Sequence, residues 1–163
     1  MGLFKYILSS FMLDRVFKEE VEFLRGVSLF EGVPANSLGV FLSIAHRKAY
    51  SDGETIFEEG QIGRVFYIVR RGEVGITIQG KRISSMGAGE FFGEMALLEE
   101  LPRTATVTCE KDCELLLMYK IRFDSLLEKN PSAGVRLVRN LAAILSSRLR
   151  QQNCGLVNDH VGK

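Results

Sequence analysis

The apolar positions of this chain change period twice, and the changes divide it into three parts. In the first part Phe4, Ile7, Leu8, Phe11 and Met12 fall on one face of a helix, with Lys5, Ser9, Ser10 and Arg15 toward the other. The spacing predicts an amphipathic helix at the start and a second helical segment over about 16–24. After the Gly32-Val33-Pro34 turn, Leu38, Phe41, Leu42 and Ala45 predict a third helix. From about Arg47 to Lys120 short runs rich in β-branched and aromatic residues take over, at 55–57, 65–69, 74–78 and 105–108. Glycine-bearing turns separate them, which is the pattern of an antiparallel roll or barrel. The glycines at 53, 60, 63, 72, 80, 87 and 89 read as its corners. Helical spacing then returns with a short helix over 121–129. Asn130 and Pro131 start a longer one, whose Val135, Val138, Leu141, Ala142, Leu145 and Leu149 form a continuous apolar stripe. From Gln151 onward the chain is polar, and a frayed tail is expected.

A length of 163 residues suits one domain with flanking helices. Lysine and arginine total 21 against 20 aspartate and glutamate, a formal net charge of +1. No global basic field is available to hold nucleic acid, so any anion must be bound locally. Cys109, Cys113 and Cys154 make an odd count without a secretory leader, which favours a reducing cytoplasm over a disulfide framework. The opening apolar run is too short, and too soon broken by Asp14 and Arg15, for a signal peptide or a membrane span. Tyr6 stands where N-myristoylation of Gly2 would require serine or threonine.

Catalytic patterns are missing. His46 and His160 are far apart and expected outside the roll, so they make no metal cluster. Cys109 and Cys113, near an expected turn between strands, lack the partners of a zinc set and read as small packing residues. No nucleophile elbow or P-loop occurs, and Glu99-Glu100 reads as a solvated turn rather than an acid–base pair. The expectation is a protein that is not an enzyme and needs no metal.

The chemistry concentrates in the fifteen residues from Phe92 to Thr106. Gly93 lets the backbone approach a ligand, and a short helical turn over 95–98 would offer leading N–H groups, including that of Ala96, to an anion. Arg103 adds a cation on an approach stiffened by Pro102, suited to forking onto a phosphate. Glu94 would be repelled by that phosphate unless it met a donor such as a ribose hydroxyl. Together these residues describe a pocket that reads the sugar and phosphate of a nucleotide at once.

This stretch resembles the phosphate-binding cassette of the cyclic nucleotide-binding domains found in cyclic-AMP-dependent kinase regulatory subunits, cyclic-nucleotide-gated channels and catabolite activator-type regulators. The likeness spans roughly 24–152 and includes Gly53-Glu54, Glu59-Gly60, Phe66-Tyr67-Ile68, Gly72-Glu73-Val74 and Gly89. It implies an α+β fold: an antiparallel β-roll of the double-stranded jelly-roll type, flanked by N-terminal helices and a C-terminal helix pair. The corresponding division is an N-terminal helical extension at 1–23, the binding domain at 24–152 and a polar tail at 153–163.

The resemblance also implies roles. Glu94 would take the ribose 2′-hydroxyl, the Ala96 N–H would reach the phosphate and Arg103 would pair with its exocyclic oxygen, with Gly93 and Met95 completing the cassette. Thr104 could hydrogen-bond guanine but is compatible with either purine. Ile76 and Ile83 stand where the family places base-contacting residues, and either wall a purine or serve as roll core. The last long helix would be the lid and dimer element, with Arg148 and Ser147 as lid candidates against a reading as solvated surface residues. The function implied is a cytoplasmic, non-catalytic sensor with cyclic AMP favoured, cyclic GMP tolerated and no cofactor, signalling through its C-terminal helices to an unidentified effector protein. The apolar face of Phe4, Ile7, Leu8 and Phe11 reads as an interaction element, and homodimerisation through the N- or C-terminal helices fits the pattern; no nucleic acid partner and no membrane span are expected. Two alternatives stand beside this. One is a truncated catabolite activator-type transcription regulator, whose helix-turn-helix segment would be expected to follow the long helix beyond Lys163. A ligand-free scaffold on the same fold would have little reason to keep both Glu94 and Arg103.

Overall fold

The computed structural model describes the backbone of residues 2–161 and the side chains of residues 14–151 and Asn153. The chain opens with helix α1 (Gly2–Arg25), a 3₁₀ turn (Ser28–Phe30) and helix α2 (Ala35–Ile44). A single helix thus replaces the two expected segments. Leu13, Asp14 and Arg15, between the two apolar patterns, include no glycine or proline that would stop it. The side chains of Phe4, Ile7, Leu8 and Phe11 lie outside the described residues.

Strands β1 (His46–Tyr50), β2 (Thr55–Phe57), β3 (Val65–Ile78), β4 (Lys81–Gly87), β5 (Phe91–Phe92) and β6 (Thr106–Tyr119) form one antiparallel sheet. Its order is β1-β6-β3-β4, with β2 also on β6 and β5 on β3. His46, expected outside the roll, opens β1 and meets the Tyr119 ring edge-on at 5.6 Å.

The runs Phe66-Tyr67-Ile68-Val69 and Leu115-Leu116-Leu117-Met118 are apolar without alternation because both faces of their strands are covered. Phe66, Ile68, Phe91, Leu116 and Met118 pack against Leu24, Phe30, Phe41, Phe123, Leu137 and Leu141 of the helical layer. Tyr67, Val69, Phe92, Leu115 and Leu117 face the roll interior with Tyr50, Phe57, Val74 and Val107.

β3 is one strand where two were expected, and it bends at Gly72. Arg71 pairs with Glu114 and Val74 with Cys109, so β3 advances three residues while β6 advances five. β6 bulges there. Gly72 holds φ +89°, and a Cβ on it would sit 2.4 Å from the Lys111 carbonyl oxygen. Only glycine fits such a backbone approach.

Helices α3 (Lys120–Lys129) and α4 (Pro131–Val161) close the chain. α4 continues beyond Gln151, where fraying was expected, because a polar stretch free of proline still permits helix. Its apolar stripe is not one face. Ala133, Leu137 and Leu141 are buried on the domain, whereas Val135, Val138 and Leu149 are exposed. Leu145 packs at the margin between them. Among the described residues no helix is long and apolar enough to cross a membrane.

Candidate functional site

A cleft of about 280 Å³ opens between β3, β4 and the segment from Phe92 to Val107. Gly93, Glu94, Met95, Ala96, Arg103 and Thr104 all line it, together with Ile76, Ile83 and Arg148. The site residues read from the sequence therefore meet in one place, with Ser147 the exception. Ser147 is exposed and borders a different hollow, beside Ser28 and Glu90. A larger groove of about 450 Å³ lies between α1, α2 and Leu116. Its arginine, Arg47, is already paired with Glu20 at 3.1 Å and Glu114 at 3.0 Å, so it offers no free cation.

Arg103 is held from several sides. Its backbone N–H donates to Gln61 O at 2.7 Å and its carbonyl accepts from Gly60 at 2.9 Å, while Pro102 bridges Ile62. The guanidinium donates to Val65 O at 2.6 Å and Gly93 O at 3.4 Å. It also lies 4.1 Å from the Phe57 ring centroid and 5.7 Å from that of Tyr67. Tyr67 stacks on Phe92 at 5.0 Å, completing an aromatic bed. Among the described residues no carboxylate forms an ion pair with Arg103. Burial lowers its pKa from the ordinary arginine value, partly offset by Tyr67 and Glu94. The positive charge is thus costly where it stands, and an anion would relieve it.

Two glycines make room for that arginine. Gly93 adopts φ +70°, and a Cβ there would lie 2.7 Å from Arg103 Nη1. Gly63, expected to be a simple corner, would bring a Cβ within 3.1 Å of the same guanidinium. It is a site residue that sequence reasoning missed. Phe57 and Tyr67 were missed likewise, because their signal as strand residues masks a second use under a cation.

The helical turn occupies Glu94–Leu97 and is 3₁₀. Its tighter bonding corrects one expectation: the Ala96 N–H is not free but donates to Gly93 O at 3.1 Å. The N–H groups of Glu94 and Met95 precede the first bond of the turn and have no acceptor within it. Met95 is 51% exposed at the rim. Thr104 is also exposed there.

Glu94 is buried, and its partner is Arg148. Arg148 Nη1 lies 2.5 Å from Glu94 Oε1, and Nη2 donates to Phe91 O at 3.2 Å. This overturns the reading of Arg148 as a solvated surface residue. The donor that satisfies Glu94 here is thus a protein side chain. Oε2 has no partner among the described residues. The base-side residues differ from each other: Ile76 is partly buried against the roll core, whereas Ile83 is 54% exposed. Ile83 is therefore not core. Among the described residues no three metal-ligating side chains cluster.

This arrangement can hold an anion against Arg103, a hydroxyl against Glu94 and a flat apolar group against Ile76. Residues 47–130 match the model of the cyclic nucleotide-binding domain. The cyclic AMP receptor protein of Thermus thermophilus is 33% identical over 82% of this chain and 62% of its own length. The crystal structure of the Thermus thermophilus catabolite activator protein superposes with a TM-score of 0.71 at 34% identity, over 79% of this chain and 61% of that one. The regulatory domain of Toxoplasma gondii PKA, co-crystallised with cAMP, gives a TM-score of 0.67 at 26% identity, over 83% of this chain and 50% of that one. The chain thus spans less than two thirds of the length of each of these three. With the family model covering just over half of its residues, and the cassette assembled as described, the chain belongs to the cyclic nucleotide-binding domain family.

Proposed function

We propose that this protein is a non-catalytic sensor of a 3′,5′-cyclic purine nucleotide, with cyclic AMP favoured and cyclic GMP tolerated. One observation carries the reading: Arg103 is a partly buried guanidinium without an ion-pair partner among the described residues, aimed into a cleft that also holds a buried carboxylate. The phosphate would fork onto Arg103 and meet the N–H groups of Glu94 and Met95. The ribose 2′-hydroxyl would donate to Glu94, and the purine would rest on Ile76 with Ile83 at the rim. Thr104 supplies one hydroxyl, and a single exposed hydrogen bond contributes only about 0.5–1.5 kcal/mol, which is too little to exclude either base.

The response would run through Arg148, which ties α4 to the carboxylate that reads the ribose. A nucleotide that engages Oε2 while Arg148 keeps Oε1 draws α4 onto the cleft; one that displaces Arg148 releases it. In both cases the helix shifts only by the ligand's difference in affinity between the two positions.

The test is a comparison of a cyclic nucleotide with its 2′-deoxy analogue on protein stripped of bound nucleotide. A hydrogen bond to a charged group contributes about 1.5–3 kcal/mol, so the deoxy analogue should bind roughly tenfold or more weakly to the wild type. Glu94→Gln should shrink that ratio. Equal affinities for the two ligands on the wild type would remove the ribose role of Glu94.

A further inference from the structure

Cys109 and Cys113 lie on the same strand, β6, and both turn into the roll interior, 1% and 2% exposed. In a regular strand, residues four apart are separated by about 13 Å. Here the two sulfurs are 2.7 Å apart, because the β6 bulge opposite Gly72 throws Lys111 and Asp112 out to solvent and folds the flanks together. Both flanks are pinned. The Cys109 N–H donates to Glu54 O and its carbonyl accepts from Gly53, each at 2.9 Å, while Cys113 pairs with Tyr50 of β1. The Cys109 thiol donates to Cys113 Sγ, and the Cys113 thiol donates to Glu73 O at 3.0 Å. Packing alone would place two small side chains in contact, but it does not require a bulge that brings sulfur to sulfur. No third metal-ligating side chain joins them among the described residues.

We propose that Cys109 and Cys113 are a thiol–disulfide couple, closing an intrachain bond across the β6 bulge by exchange with an oxidant of the disulfide class. In the first step the Cys113 sulfur, as thiolate, attacks one sulfur of RSSR. The R–S–S–R bond breaks, a Cys113–S–SR bond forms, and RS⁻ leaves to take up the Cys113 proton. In the second step the Cys109 sulfur loses its proton and attacks Cys113 Sγ, forming the Cys109–Cys113 bond and expelling a second RS⁻, which takes that proton. Two electrons pass from the protein sulfurs to the reagent, yielding two RSH. Either sulfur can take the first step with the same balance, since the two are equally buried; burial and the Cys113 contact push the Cys109 thiol up to about 12. The burial that aligns the sulfurs also slows the first step, so the equilibrium and not the rate is diagnostic.

The experiment uses the full chain carrying Cys154→Ser, unfolded and refolded in glutathione buffers of graded ratio, with parallel samples held in concentrated urea. After acid quenching and alkylation, trypsin cuts behind Arg103, Lys111 and Lys120, so the bond appears as residues 104–111 joined to residues 112–120. Because the fold already holds the sulfurs together, the midpoint for the joined pair should lie at least about tenfold further toward the reducing ratio in the folded protein than in urea. By linkage the bond then stabilises the fold by the same factor, about 1.4 kcal/mol per tenfold. This reads as a raised urea midpoint on oxidation that Cys109→Ser and Cys113→Ser both lack. Coincident midpoints in the two states, or a joined pair found only in urea, would overturn the proposal and leave two packing thiols.

Discussion

Arg103→Ala should weaken cyclic nucleotide binding by about thirtyfold or more. Removing one partner of a desolvated charge pair costs on the order of 2–5 kcal/mol, and each 1.4 kcal/mol is a factor of ten. The guanidinium is preorganised for this role by Gly60, Gln61 and Val65, so little rotamer freedom remains to be lost on binding. Arg103→Lys should fall between wild type and alanine, because it keeps the charge but not the fork. The fold should survive. Alanine forfeits the cation–π contacts with Phe57 and Tyr67, but it also removes a charge whose burial is only partly offset without ligand. Wild-type affinity in a folded Arg103→Ala protein, measured by titration calorimetry with circular dichroism as the folding check, would sink the assignment.

Gly72→Ala should be the most destabilising single change at a turn of the roll, by roughly 3 kcal/mol or more. An alanine at φ +89° carries a strain of about 1–2 kcal/mol by itself. The added carbon would also stand 2.4, 2.5 and 2.8 Å from Lys111 O, Asp112 O and Cys113 Cα, all of them backbone atoms that cannot swing aside. Gly89→Ala is the matched control. Its φ of +85° imposes the same strain, and nothing lies within 4 Å of the new carbon. Urea denaturation of the two variants should separate them by about 1–3 kcal/mol, the usual range for overpacking. Equal losses would mean that the β6 bulge yields and that Gly72 is only a turn residue.

Much of this fold is legible in the sequence because the relevant signals are local. The turn glycines and the strand runs of the roll mark themselves, and Glu94 and Arg103 stand together in one short stretch whose resemblance to the family's cassette implies their roles. Other features depend on distant partners. The register of α4 could not be read from an apolar stripe with two faces, since one residue rotates a helix face by about 100°. From the sequence Arg148 therefore reads either as a lid candidate or as a surface residue, and only the fold brings it onto Glu94. Gly63 carries a φ that any residue could adopt and is small only because Arg103 crosses over it, a contact forty residues away in sequence. The Cys109–Cys113 contact likewise arises from a bulge imposed by Gly72, on another strand. The single helix α1 was hidden for the opposite reason: a change in apolar phase resembles a break, yet a helix stops only where the backbone chemistry stops it.

The central claim is that the cleft binds a cyclic purine nucleotide. Isothermal titration of cyclic AMP and cyclic GMP into wild-type protein stripped of carried-over nucleotide tests it most directly. Saturable binding of one nucleotide per chain is expected, tighter for cyclic AMP, with the two affinities within about a hundredfold because no single hydrogen bond at Thr104 can separate them further. No heat of binding from either nucleotide, together with no shift in the unfolding midpoint at millimolar ligand, would contradict the account.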